Sequence, residues 1–373
     1  MAAIDQDLAI KISRRAAEVY ADLEFSLMDM IASRLAADVD VPEWAQRKQA
    51  EITALRKVAD KQVKRARRRG LKVVGKGIPE AYRAGAEVGL KDLKAIEIKG
   101  SFNRSSPQVL LSMIEQQMRG DVLGMQVTTA LRDIDVQILR STFDIYRSVI
   151  AEASLPQVLT GVETRRTAAM RALDRFSKRG ITGFIDKANR NWQLESYVEM
   201  AVRTGSGHAM VQGRLDSYKV GGRDLVIVSD APEECKVCRP WEGRILSISG
   251  ADPKHASIAS ARAAGLFHAD CRHDVRPYVS GLTKKLYNTK TADPEGNAER
   301  IRQRYLERQV RENKRRVASA ESWLREDRGN LEAQANLFRS RGRLQASQGR
   351  LTDFIDESGR KRLRYREQIG NAI

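Results

Sequence analysis

The chain is poor in aromatic residues, which fill 6% of its 373 positions, and poorer still in cysteine, with three. A mean hydropathy of −0.48 accompanies this, and the pair suits long solvated helices better than one compact globule. No uninterrupted run of about 18 apolar residues occurs, so no membrane span is expected. The opening MAAIDQDLAIKISRRAAEVYADLEF lacks a basic segment followed by an apolar core and is not read as a signal peptide. Three clustered cysteines exclude the paired, dispersed framework of a secreted disulfide domain, and a protein made in a reducing cytoplasm is the expectation. Signatures of the GxxxxGKS/T, GxGxxG, GxSxG and HExxH kinds are missing too.

What the chain has in excess is positive charge. The formal net charge is +18 and the pI is about 10.0, which favours polyanions through counterion release. The alternative is a solvated lysine- and arginine-rich helix surface. Two stretches concentrate the charge. The run 61-KQVKRARRRGLK-72 holds seven Lys/Arg and no acid, and residues 284–373 carry an excess of nine, half of the total.

Periodicity organises the rest. Leu8, Ile12, Val19, Leu23, Leu27 and Ile31 recur at helical spacing over 1–37. Pro42 suits the first turn of a second helix, with Gly70 as its expected stop. Turn-rich residues 75–79 then precede a short helix over 80–98. Residues 109–154 read as two helices hinged at Gly120, and further helices are expected at 162–178 and 192–213. The segments 223–230, 244–249 and 274–279 are apolar, β-branched and bounded by Gly or Pro, and read as strands. Gly329-Asn330 separates two basic helices, an αα-hairpin signature. Their apolar stripe (Leu306, Val310, Leu337, Leu344, Leu351, Phe354) is thin enough only to join one helix to another. Charge interleaving there predicts i,i+4 pairs such as Glu307–Arg311 and Glu312–Arg316.

All three cysteines fall in 234-ECKVCRPWEG-243 and 267-FHADCRH-273. Zinc requires four converging soft or borderline ligands, and a CxxC turn supplies two thiolates from neighbouring backbone. Cys235 and Cys238 have that spacing, Cys271 adds a third thiolate, and His268 supplies an imidazole, with His273 as the alternative fourth ligand. A closed shell of this kind argues for a structural metal. The competing readings are cysteines without a metal, or a Cys/His catalytic arrangement for which the sequence identifies no orienting acid. His208 and His255 stand alone and read as satisfied histidines.

At these residues a resemblance becomes specific. The stretch 223-RDLVIVSDAPEECKVCRPWEGRILSISG-250, followed by 265-GLFHADCRHDVRPYVSG-281, resembles the phage minor capsid protein 2 family, related to the MuF-like head morphogenesis proteins. Similar stretches extend it over about residues 110–360: 161-GVETRRTAAMRAL-173, 180-GITGFIDKANRNWQLESYVEMAVRT-204 and 304-RYLERQVRENKRR-316. The resemblance implies a low-copy head component of a tailed phage, made in the host cytoplasm and carried in the virion, inside the head. The phage portal protein and packaged double-stranded DNA would be its partners, with the major capsid protein or scaffold as further ones. It would assist assembly, packaging or ejection and would not be an enzyme; the alternative is a nucleic-acid-processing enzyme built on the Cys/His module. Trp241 would pack over the small β element, with Gly243 permitting the turn into the following strand.

The expected fold is mainly α, with a small α+β module of zinc-knuckle kind, an elongated helical N-terminal region and a basic C-terminal hairpin. Four consecutive regions follow: 1–100, 101–222, 223–283 and 284–373. Phosphate contacts are expected from Lys64, Arg65, Arg67, Arg68 and Arg69, and from Lys314, Arg315, Arg316, Arg341 and Arg343.

Overall fold

Long helices carry the computed structural model, which describes residues 6–97, 122–155, 163–180, 184–185, 191–231, 233, 236–269, 271–283 and 293–369. In chain order they are α1 (Gln6–Ala36), α2 (Trp44–Ala50), α3 (Ile52–Glu97), α4 (Val122–Glu152) and α5 (Arg165–Arg179). After the strand pair β1 (Phe184–Ile185) and β2 (Asn191–Trp192) come α6 (Leu194–Val220), β3 (Leu225–Val228), β4 (Ile245–Ser247), α7 (Ile258–Ala263) and β5 (Val275–Pro277). The hairpin α8 (Pro294–Glu326) and α9 (Leu331–Ser358) follows. The three strands expected from β-branched runs are all present, as is the hairpin around Gly329-Asn330. The hinge expected at Gly120 lies outside the described residues.

Packing divides the chain into two units, each drawn from three separated segments: residues 1–16, 71–130 and 199–300, and residues 17–70, 131–198 and 301–373. The first hundred residues therefore contribute to both units. Helix α3 is where sequence reasoning fails most plainly. Neither Gly70 nor the 75–79 stretch ends it, and Pro79 lies within its 46 residues. These glycines make room for neighbours. A Cβ on Gly70 would lie 2.8 Å from the Tyr20 ring, and one on Gly77 would lie 2.4 Å from Ile12 Cγ2.

In the first unit, α3 and α6 touch backbone to backbone. A Cβ on Gly85 would meet the Met210 carbonyl oxygen at 1.9 Å, and one on Gly213 would meet that of Tyr82 at 2.1 Å. Ser217 Oγ donates to the Ala86 carbonyl at 2.9 Å, and Tyr82 OH donates to Asp216 at 2.7 Å. Helix α6 therefore continues through Gly213 to Val220 and delivers the chain to the sheet. That sheet is antiparallel with order β4-β3-β5. Central β3 is buried at Val226, Ile227 and Val228, and Pro277 is confined to an outer strand, where a missing N–H is tolerated.

The second unit encloses Trp44, Trp323, Tyr146 and Leu27. Its helices are capped conventionally. Thr164 accepts from the Thr167 amide at the start of α5, Asn330 accepts from the Ala333 amide at the start of α9, and Gly359 closes α9 in the left-handed region. Leu306 and Val310 of α8 pack with Leu351 of α9, as the thin stripe requires. The expected i,i+4 pairing is replaced by pairing across elements: Arg311 reaches Glu195 at 3.2 Å and Arg316 reaches Asp174 at 3.1 Å.

One buried carboxyl in this unit sets a pH dependence. Asp135 is 5% exposed, neither of its oxygens accepts a hydrogen bond, and Arg67 stands 3.6 Å away. Burial pushes its pKa up to about 6, against the opposing pull of Arg67. The folded chain thus holds this proton more tightly than the unfolded chain. The resulting stability is fully present below about pH 4 and is lost as pH rises through 6. Asp135→Asn is expected to raise Tm at pH 7.5 and to leave it nearly unchanged at pH 4. Melting curves at the two pH values check this.

Candidate metal centre

The register of the sheet brings the two cysteine-bearing stretches together. β4 begins at Ile245 opposite Ile227, and β5 begins at Val275 opposite Val228. The residues just before each strand therefore meet at the same end of β3. On one side, Cys238 leads into a single 3-10 turn, Arg239–Trp241. Gly243 follows at φ 68° and donates its N–H to the Val228 carbonyl at 3.1 Å, which is the turn into β4 expected of it. On the other side, Asp274 locks to β3 through Ser229, whose N–H donates to the Asp274 carbonyl at 2.8 Å. The Asp274 amide donates in turn to Ser229 Oγ at 2.9 Å.

Three soft ligands converge there. Cys238 Sγ lies 3.5 Å from Cys271 Sγ, and Cys271 Sγ lies 3.4 Å from His273 Nδ1. The three ligand atoms all lie within 4.8 Å of one another. The imidazole of the group is thus His273. His268 keeps its Nδ1 2.6 Å from the Ala269 carbonyl oxygen, and Cys235 lies outside the described residues. The far nitrogen of His273, Nε2, lies 2.7 Å from Glu242 Oε1 in a salt bridge whose two side chains are 2% and 6% exposed. Glu242 also accepts from the Ala231 amide at 3.4 Å.

Sequence reasoning did not place this carboxylate beside the cluster. Metal-binding histidines ordinarily present their second nitrogen to a carboxylate or carbonyl, which fixes the ring and raises its basicity. The signal available in the sequence was one acid inside CRPWEG. Trp241 is only half-buried, its ring under the Arg244 guanidinium at 5.4 Å, so the residue that ties this turn to the thiols is its neighbour.

Without an ion, both ligand types hold their protons. The hydrogen bond with Cys271, followed by burial, pushes the Cys238 thiol up to about 12. Burial acts to lower the His273 imidazole, but its bonds to Cys238 and Glu242 outweigh this and raise it above its ordinary value. A divalent ion in the middle supplies the positive charge that would favour thiolates. Two thiols and an imidazole backed by a carboxylate are the donor set zinc prefers. Beside the cluster a cavity is lined by Arg203, Thr204, His208, Phe267 and Cys271. His208 there lies 2.6 Å from the Phe267 carbonyl oxygen, and burial holds its pKa below the ordinary value.

The cations expected to meet phosphate fall into two groups. Arg65 and Arg68 are exposed, while Lys64 and Arg69 are exposed and paired with Asp60 at 2.6 Å and Asp22 at 3.8 Å. Arg341 and Arg343 are exposed in pairs with Glu321 and Asp174. The others are internal to varying degrees. Arg315 is 3% exposed, donates to the Ser177 carbonyl and pairs with Glu24. Arg67 faces buried Asp135 and Arg316 faces Asp174. Lys314 is half-buried, and burial lowers its pKa.

The family model for phage minor capsid protein 2 matches residues 5–356. The chain therefore belongs to the phage minor capsid protein 2 family, whose members are virion structural proteins. A protein named "Structural protein" from Lactococcus phage LL-H is 31% identical over 204 residues, 52% of this chain and 54% of that protein. A second "Structural protein", from Lactococcus phage mv4, is 32% identical over 127 residues, 32% of this chain and 96% of that protein. The chain thus spans about half the length of the LL-H relative. No solved structure matches it significantly. Among the described residues no helix is long and apolar enough to cross a membrane.

Proposed function

We propose that this minor capsid protein is a portal-associated component inside the phage head, assisting assembly and the packaging or ejection of DNA, with its β module clamped by a structural zinc. One observation carries the structural role: two thiols and an imidazole converge at the end of β3, and buried Glu242 holds the imidazole from behind. Cys238, Cys271 and His273 would hold the ion, with Cys235 of the CxxC turn as the fourth ligand. The bound ion would replace side-chain packing that a sheet of this size lacks. The exposed cations of α3 and α9 would meet DNA phosphates without reading sequence, and their surface ion pairs are weak enough to exchange for phosphate.

A second reading has its own observation. Cys271, His273 and Glu242 also form a thiol–imidazole–carboxylate line, the arrangement that activates a cysteine nucleophile. Metal content and alkylation separate the two. The structural reading expects one zinc per chain, Cys271 protected from iodoacetamide until a chelator is added, and no turnover of DNA. A metal-free protein whose Cys271 alkylates rapidly would refute the zinc, and turnover of DNA lost in Cys271→Ser would establish the second reading instead. For the location, the expected result is density for this chain at the portal vertex of intact virions, and density elsewhere in the particle would refute the placement.

Duplex-DNA affinity should fall steeply with salt. Neutralising Arg65, Arg68, Arg341 and Arg343 to Gln should lower the slope of log K against log salt by up to about 3.6, at roughly 0.9 per phosphate contact. An unchanged slope would remove these residues from the interface.

A further inference from the structure

We infer that the cleft between the end of α5, the start of α6 and the middle of α8 is a nucleotide site, holding the phosphate of a nucleotide unit, free or within a nucleic-acid strand, with Trp192 against the base. The cleft has a volume of about 730 Å³, within the range of sites that enclose small organic ligands. Five cations line it (Arg175, Lys178, Arg179, Arg308 and Arg316) against one carboxylate, Glu312.

The cations differ in how far they are already satisfied. Arg175 pairs with Glu152, and Arg316 pairs with Asp174. Lys178, Arg179 and Arg308 form no salt bridge among the described residues, although Glu312 and Glu307 attract Arg308 through space. Glu312, the only acid in the wall, is engaged by two amides, accepting from Gln193 Nε2 at 3.0 Å and Gln309 Nε2 at 2.9 Å. Arg308 is half-buried, and burial, then Arg311 and Arg304, hold its pKa below the ordinary value against the opposing pull of Glu312 and Glu307. Like charges crowded into a concave, partly dry wall are unfavourable until an anion enters.

Two further features distinguish a nucleotide from a simple anion. Trp192 forms part of the wall and is braced edge-on by Tyr197, ring centroids 5.7 Å apart at 81°. A fixed aromatic ring beside a cationic groove is the pairing that holds single strands, bases on the ring and phosphates on the cations. Gln193 and Ser196 bracket the start of the 27-residue helix α6, the end whose dipole favours negative charge. An acidic peptide would use the cations and leave the ring without a purpose.

This site deepens the proposed contact with DNA but rests on different residues, so the two can fail separately. The full chain is titrated against a fluorescein-labelled ten-residue thymidine oligonucleotide at low salt, followed by anisotropy, with AMP, inorganic phosphate and a poly-glutamate peptide as competitors. Lys178→Gln/Arg179→Gln, both exposed positions, should weaken oligonucleotide binding at least tenfold with helix content unchanged, and Arg308→Gln should do the same as a second variant. Trp192→Leu should cost about tenfold for oligonucleotide and AMP while sparing inorganic phosphate, because stacking alone is removed. Arg65→Gln/Arg68→Gln should flatten the duplex salt slope without changing this affinity, and an unchanged slope with unchanged oligonucleotide affinity would sink the duplex interface and leave the cleft standing. The inference is overturned by cleft variants that bind within twofold of the native chain, by an undiminished Trp192→Leu, by no oligonucleotide binding at low salt, or by poly-glutamate competing as well as the oligonucleotide.

Discussion

Arg214→Met is expected to cost about 3–5 kcal/mol of folding stability, because it leaves two buried carboxylates without their counter-charge. Arg214 is fully buried on α6, and its guanidinium pairs with Asp92 of α3 and with Asp274 at the start of β5. Its Nε donates to Asp92 Oδ2 at 3.0 Å and to Tyr218 OH at 2.7 Å, and that hydroxyl donates to Asp92 Oδ2 at 2.8 Å. One cation thus ties the α3–α6 contact to the strand that follows His273. Methionine fills similar volume, so packing alone predicts a small loss; the large one comes from desolvated charge. Urea unfolding measures it. Adding Asp92→Asn to Arg214→Met should recover part of the loss, since one of the two stranded charges disappears, and strict additivity of the two substitutions would show that they do not share a network.

Cys271→Ser should leave less than one zinc per chain and unfold the 223–281 module, the second large effect. Structural zinc supplies on the order of 10 kcal/mol of apparent free energy in small modules, and β3, β4 and β5 run to only three or four residues each. Glu242→Gln is the more discriminating change. It keeps the volume and one hydrogen-bonding oxygen while removing the charge behind His273, so metal should still bind but about 10–100-fold more weakly. Competition against a chromophoric chelator reads both. Full zinc retention in Cys271→Ser would remove that thiol from the ligand set, and native affinity in Glu242→Gln would reduce the carboxylate to a packing contact.

Much of this architecture was legible in one dimension. Helical periodicity located α1, α5, α8 and α9 because each buries one face, and the β-branched runs located the three strands of the β4-β3-β5 sheet but not the short β1–β2 pair. The CxxC and CRH stretches announced a cluster because every cysteine of a long chain lies in these two short pieces. What misled was glycine. Gly70, Gly77 and Gly213 read in sequence as ends of helices or turns, yet each sits where a neighbouring side chain or backbone leaves no space for a Cβ. A glycine that ends a helix and one that admits a neighbour are identical in composition and differ only in what lies opposite.

Charge was misread for the same reason. The interleaved acids of 300–316 suggested pairs along one helix, but Arg311, Arg315 and Arg316 reach Glu195, Glu24 and Asp174, at distant positions in the chain. The sequence by itself determined helix content, strand identity, the excess of positive charge and the presence of a soft-ligand cluster, all properties of local spacing and residue type. The tertiary structure alone decided that His273 rather than His268 joins the thiols, that Glu242 stands behind it, and which cations remain at the surface. Each of those depends on strand register and on the approach of segments far apart in the chain, and short-range periodicity carries no record of either.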